Sequence, residues 1–189
     1  MKHATLALLT MLLLVPLAQA RDVDGTAVPD NLTLPGETRP LMLNGAGIRK
    51  KYMFKVYVGA LYAGAPLRTV DQVLAAPYAR VMRLHFLREV SSDKVVQGWI
   101  DGFAANHGVE EQRALDTHLT AFNAMMPSVK TGDVLRLELL ATGQTRVLFN
   151  DTLRGTVDGA DFQRALLKLW LGHKPADSDM KAALLAGGT

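Results

Sequence analysis

The chain has 189 residues, 49% of them hydrophobic, with 21 Lys and Arg against 18 Asp and Glu for a net charge of +3. Length and apolar content suit a single domain with its own core, and the near-neutral balance argues against a nucleic-acid binder, which clusters excess basic charge. With no Cys in the chain, a disulfide framework, a thiolate nucleophile and a Cys-based metal site are excluded.

Met1–Ala20 reads as a cleavable signal peptide. Lys2 and His3 give a short basic start, Leu6–Leu14 an apolar run, and Ala18-Gln19-Ala20 the small-x-small site of a signal peptidase. Thr10 and Pro16 interrupt the apolar run, which falls short of the ~20 residues a membrane-spanning helix needs. No later stretch is long and apolar enough to span. The expectation is therefore a periplasmic or secreted protein whose residues 21–189 form one domain.

Arg21–Arg39 is rich in Asp, Pro and Gly and reads as a lead-in segment with one or two short edge strands, since Pro29 and Pro35 cannot donate to a ladder. Asn44–Tyr62 is the most informative stretch. Gly45 and Gly47 permit unusual backbone angles or close approach, and a basic cluster, Arg49-Lys50-Lys51, follows. Alternation from residue 52 onward predicts a strand with Tyr52, Phe54, Val56 and Val58 on one face and Met53, Lys55 and Tyr57 on the other.

Thr69 is placed to cap a short helix ending before Pro77. Arg80–Leu87 then alternates again: Met82, Leu84 and Phe86 make an apolar face, and Val81, Arg83, His85 and Leu87 a mixed one. Ser91-Ser92-Asp93 opens a helix with Val95, Val96, Trp99, Ile100 and Phe103 as its stripe, and a second helix runs from Val109 to Met126, before Pro127. Three short strands follow, 134–140, 145–149 and 152–157, joined by turns at Thr142-Gly143-Gln144 and Asn150-Asp151. Asp161–Leu171 is helical, with Gly172 as its C-cap, and Pro175-Ala176-Asp177 opens a last helix anchored by Met180, Leu184 and Leu185. The pattern predicts an α+β domain: a mainly antiparallel sheet covered on one side by helices.

Chemistry-bearing motifs are sparse. The histidines, at 3, 85, 107, 118 and 173, have no metal-ligand spacing. No G-x-S-x-G elbow or phosphate-binding glycine loop is present, so neither a metal nor a cofactor is expected. The remaining candidates are Arg49, whose guanidinium offers a fork of donors to a carboxylate or phenolate, and the hydroxyls of Tyr52, Tyr57 and Tyr62. From the residues alone, Arg49 reads equally as a ligand contact and as a solvated basic turn beside Lys50 and Lys51.

The stretches G-A-G-I-R at 45–49 and K-V-Y-V-G-A-L-Y at 55–62 resemble the G-A-G-V-R and K-F-x-x-x-G-V-Y-L region of the chalcone isomerase family. A-R-V-M-R-L-H-F-L-R-E-V at 79–90, G-D-V-L-R-L-E at 132–138 and D-F-Q-R-A-L-L-K-L-W-L-G-H-K-P-A-D at 161–177 are similar to its bacterial chalcone-isomerase-like branch. The resemblance implies an open-faced β-sandwich-like sheet under helices. It places Arg49 where the isomerases hold the substrate's developing phenolate and where fatty-acid-binding members pair with the ligand carboxylate. Tyr57 takes the place of the catalytic threonine, and the isomerases' tyrosine and asparagine have no counterpart around Val95–Asn106. The resemblance thus implies a non-catalytic protein that binds an apolar carboxylate such as a fatty acid with Arg49 at its head group; Tyr52, Tyr57 and Tyr62 are candidate further ligand contacts from the residues themselves, with Tyr52 and Tyr62 sharing one parity on the strand and Tyr57 the other. Two alternatives stand beside it: an isomerase or intramolecular lyase on a flavonoid-like substrate, using Arg49 and Tyr57, and a structural module whose sheet packs against a protein partner.

Overall fold

A computed structural model of the chain describes residues 20–188. The signal-peptide expectation falls on residues outside that range, apart from Ala20. Strands β1 (Ala20–Val23) and β2 (Thr26–Pro29) make a small hairpin of their own. The main sheet has seven strands in simple antiparallel order: β3 (Asn31–Leu32), β4 (Leu41–Lys51), β5 (Phe54–Ala63), β6 (Arg80–Phe86), β7 (Val134–Leu139), β8 (Thr145–Phe149) and β9 (Thr152–Val157). Helix α1 (Val70–Ala75) links β5 to β6, α2 (Ser92–Asn106) and α3 (Val109–Asn123) link β6 to β7, and α4 (Ala160–Leu171) and α5 (Ser178–Leu184) follow β9. The chain is α+β, as its alternation and helical stripes predict. Among the described residues, no helix is long and apolar enough to cross a membrane.

All five helices contribute to one core against one face of the sheet. Val73 of α1, Phe103 of α2, Phe122 of α3, Leu166 of α4 and Leu184 of α5 share it with Met82, Leu84, Leu135 and Leu137 of the central strands. On the opposite face, Val28 and Leu34 of the lead-in segment and Leu41 of β4 pack with Val58, Ala60 and Tyr62. Beyond that patch the outer face turns ionic. Glu138 is fully buried there between the guanidinium groups of Arg136, 3.0 Å away, and Arg146, 3.1 Å away.

Residues 52–58 do not form the single alternating strand expected of them. Strand β4 runs unbroken through Gly45, Gly47 and the basic cluster, and the chain reverses at Tyr52-Met53. The glycines are thus strand residues, not a turn. They serve close approach: a Cβ on Gly45 would stand 2.0 Å from the Ala183 carbonyl oxygen, and one on Gly47 2.9 Å from the Ala183 Cβ. On β5, a Cβ on Gly59 would meet the Met180 methyl at 2.0 Å. The three glycines pave a flat seat on which α5 lies.

Two bulges complete the hairpin. Leu43 faces Tyr62 while Gly45 faces Leu61, so Asn44 is the extra residue on β4. Its side chain turns inward, where Nδ2 donates to the carbonyls of Leu67 (2.8 Å) and Leu184 (2.7 Å) and Oδ1 accepts from Leu67 N–H (2.7 Å). The second bulge lies beside the candidate site.

Local capping follows the sequence. Thr69 Oγ1 accepts from Gln72 N–H, and the Gln72 side chain accepts in return from Thr69 N–H, which makes a complete capping box on α1. Thr69→Ala should destabilise the protein by about 1 kcal/mol, measured as a lowered urea midpoint at unchanged slope. Gly172 is the C-cap of α4 with extended rather than left-handed backbone. Glycine is required there by crowding, since a Cβ would fall 2.2 Å from the Asn106 amide oxygen.

Candidate functional site

A cleft of about 430 Å³ opens between the β4–β5–β6 end of the sheet and helices α2 and α4, a size within the range of small-molecule sites. Its floor is Val56, Tyr57 and Phe86 from the sheet, and its walls are Val95 and Trp99 from α2 and Leu169 and Trp170 from α4. The apolar stripes of both helices face the sheet, so the aromatic residues that pack the core also line the cavity.

Val56 and Tyr57 are neighbours in sequence yet both line the cleft, which plain alternation forbids. The second bulge is the reason. Arg49 pairs with Tyr57 and Lys50 with Lys55, leaving Val56 as an extra residue on β5. Its carbonyl is satisfied by Leu87 N–H at 2.9 Å. The bulge flips the pleat, so Tyr57 continues on the face of Gly59 and Leu61 while Val56 joins it there.

Arg49 stands directly across from Tyr57, with its guanidinium carbon 5.6 Å from the phenol ring centroid. It is half-buried and has no ion pair among the described residues. Tyr57 is 5% exposed. Its hydroxyl oxygen accepts from the Trp170 indole N–H at 2.8 Å, and its ring meets Phe86 edge-on at 5.6 Å. Burial pushes the Tyr57 phenol above its ordinary value, with the Arg49 charge and the Trp170 hydrogen bond opposing that shift and Asp177 adding to it. The phenol therefore stays protonated at neutral pH, and its own proton is uncommitted to any hydrogen bond among the described residues. Tyr57→Phe leaves the buried Trp170 N–H without its acceptor and should cost about 1–3 kcal/mol, read as a lower urea midpoint together with a shift in tryptophan emission.

The four residues singled out from the sequence do not converge. Arg49 and Tyr57 meet as described. Tyr52 reaches the mouth of the cleft from the tip of the hairpin and is otherwise exposed. Tyr62 lies on the opposite face of the sheet, fully buried, with its hydroxyl donating to the Pro29 carbonyl at 2.8 Å. Burial pushes its phenol up to about 12. Between Tyr57 and Tyr62 the alternation is regular, so five residues of strand put the two phenols on opposite sides.

Trp99 and Trp170 both pack in the core and line the cavity. Their rings are T-shaped at 5.5 Å, and the Trp99 indole N–H is buried with no acceptor among the described residues. Four cations edge the cavity, Arg49, Lys51, Arg88 and Lys94, against one acid, the exposed Glu89. The arrangement offers a fixed positive charge and a neutral hydroxyl donor beside a mostly apolar space. That combination suits an apolar molecule with one anionic group.

The sequence profile of the chalcone isomerase-like family matches residues 20–186. No curated protein matches the chain. Among solved structures, a fatty-acid binding protein of Arabidopsis thaliana is similar with a TM-score of 0.67 at 17% identity, over 86% of this chain and 92% of that one. At that identity the likeness speaks for the fold.

Proposed function

Because the chain belongs to the chalcone isomerase-like family, we propose that it is a binding protein for an apolar carboxylic acid of the fatty-acid class. Arg49 holds the carboxylate, Tyr57 donates a second hydrogen bond, and the alkyl chain lies along Val56, Phe86, Val95 and Leu169. The observation that carries this reading is the Arg49 guanidinium, half-buried at an apolar cleft, over a phenol and without a carboxylate partner among the described residues. The likeness to a fatty-acid binding protein supports the ligand class. Export through cleavage after Ala20 belongs to the same proposal, and N-terminal sequencing of the protein from a periplasmic or secreted fraction should then begin at Arg21.

A second reading rests on the same pair. An anion developing beside Arg49 would find the Tyr57 phenol next to it, as an intramolecular lyase requires. The pair stabilises charge but supplies no base, since Tyr57 stays protonated and Glu89 is exposed at the rim. We therefore favour binding.

The test is native mass spectrometry of protein taken from its own compartment, with extraction of any bound small molecule. A fatty acid at one per chain is the expected result. Titration with saturated acids of increasing length should then show affinity rising about fourfold per methylene, from roughly 0.8 kcal/mol each, until the cleft is full. An empty protein that also takes up none of these acids overturns the proposal.

A further inference from the structure

The β4–β5 hairpin ends in a feature that ligand binding does not explain. Tyr52, Met53 and Phe54 are 90%, 85% and 52% exposed at a two-residue turn. Tyr52 holds φ at +56°, a left-handed conformation that glycine or asparagine would adopt with less strain. An apolar, aromatic tip is thus kept exposed at a conformational cost.

Its surroundings are basic. Lys50 and Lys51 flank it on β4 and are exposed without ion pairs among the described residues. Arg88 lies over the Phe54 ring at 4.6 Å, and Lys94 edges the same opening. The nearby acids are fewer. Asp24 is paired with Lys55 at 2.6 Å, Asp177 accepts the backbone N–H groups of Lys50 and Met180, and Glu89 is exposed at the rim.

We infer that this tip is a docking device for an anionic lipid surface, with Tyr52, Met53 and Phe54 entering the headgroup boundary and Lys50, Lys51 and Arg88 meeting the lipid charges. Aromatic and apolar side chains backed by Lys and Arg are the composition that interfacial binding needs. A single protruding turn presents too little area for a stable protein interface, which buries roughly 800 Å² per partner. Tyr52 and Phe54 also line the cleft, so a docked tip sets the mouth of the cavity against the bilayer. The purpose rests on the fatty-acid reading: the ligand is exchanged between cleft and membrane without crossing water. Docking itself does not require ligand.

Two measurements separate the claims. The first is flotation of the purified protein with vesicles of phosphatidylcholine and phosphatidylglycerol, beside vesicles of phosphatidylcholine alone. The second is fatty-acid binding in solution without vesicles. The wild type should float with the anionic vesicles only, and less at high salt. Lys50→Glu should reduce partitioning about thirtyfold, from a change of two charges near the surface, and Met53→Asp about tenfold or more. Both side chains are exposed and lie outside the cleft lining, so binding in solution should be unchanged in each variant. Absence of flotation at low salt, or flotation that neither variant reduces, overturns docking through the tip and leaves the ligand reading to the second measurement. Concentration-dependent dimerisation abolished by Met53→Asp, without vesicle binding, would instead assign the tip to self-association.

Discussion

Replacing Arg49 by alanine is expected to weaken binding of a long-chain fatty acid about ten- to hundredfold, the loss of one charge-assisted pair worth roughly 1.5–3 kcal/mol. Stability should change by less than about 1 kcal/mol, because the native contact of this guanidinium is a single stack on Tyr57. Arg49→Lys should recover part of the affinity, since it keeps the charge and loses the planar fork. The matching fatty alcohol should bind the wild type more weakly than the acid does, and the difference should vanish in Arg49→Ala. The pH dependence has a definite sign. As pH falls through the ligand's carboxyl range, near ~4.3 by analogy with a Glu side chain, the acid becomes neutral and wild-type affinity drops toward that of the variant, whose own profile stays flat. Isothermal titration of the four combinations decides the matter, and equal affinities for acid and alcohol in the wild type would remove Arg49 from the site.

The second large effect concerns the seat of α5. Asn44→Ala removes three buried hydrogen bonds at once and leaves the Leu67 N–H and the Leu67 and Leu184 carbonyls without side-chain partners. At about 1 kcal/mol for each bond lost, plus the penalty for an unsatisfied buried donor, the cost is about 3–5 kcal/mol. For a domain of this size that lowers the thermal midpoint by about 10 °C. Asn44→Asp should do no better. A carboxylate still accepts from Leu67 N–H, but it turns an anion toward two carbonyl oxygens that had been receiving protons. Gly45→Ala tests the same seat from the other side, because its Cβ would fall on backbone atoms of α5 that no rotamer change can clear. If calorimetry finds Asn44→Ala within 0.5 kcal/mol of wild type, roughly the scatter of a neutral surface change, α5 is not held by this clamp.

Much of the fold follows from local rules that the sequence states openly. Thr69 and Gln72 announce the capping box of α1, the alternation at 80–86 announces β6, and Asn150-Asp151 adopts positive φ at both residues, as a tight hairpin turn requires. The site was less legible, for reasons of register. A bulge adds one residue to one strand and leaves the hydrophobic pattern looking intact, so Asn44 and Val56 carry no local mark of their role. Val56 and Tyr57 were assigned to opposite faces on alternation alone, and the pairing of Arg49 with Tyr57 reverses that. The hairpin turn has no local signal because Tyr52-Met53 contains none of the usual turn residues, whereas Gly45 and Gly47 are strand residues cleared for a helix more than 130 positions later. What sits on a glycine is decided by tertiary contact, and a single sequence does not display it.

The bond from Asn44 to Leu184 closes 140 residues of chain, and the cleft itself takes part of its floor from β5, near the start of the domain, and a wall from α4, near residue 170. The seat and the cleft can therefore be completed only when both ends of the domain are present. The β4–β5 hairpin joins neighbouring residues, whereas these contacts have long sequence separation and carry the larger loop-closure cost. Until residues beyond 170 have been made, Tyr57 has no Trp170 to receive a hydrogen bond from, and the glycine seat lies open to water. The cavity is therefore a product of the completed tertiary fold and not of any one local segment. On the fatty-acid reading, cargo would enter a finished protein through the mouth beside the hairpin and leave by the same route.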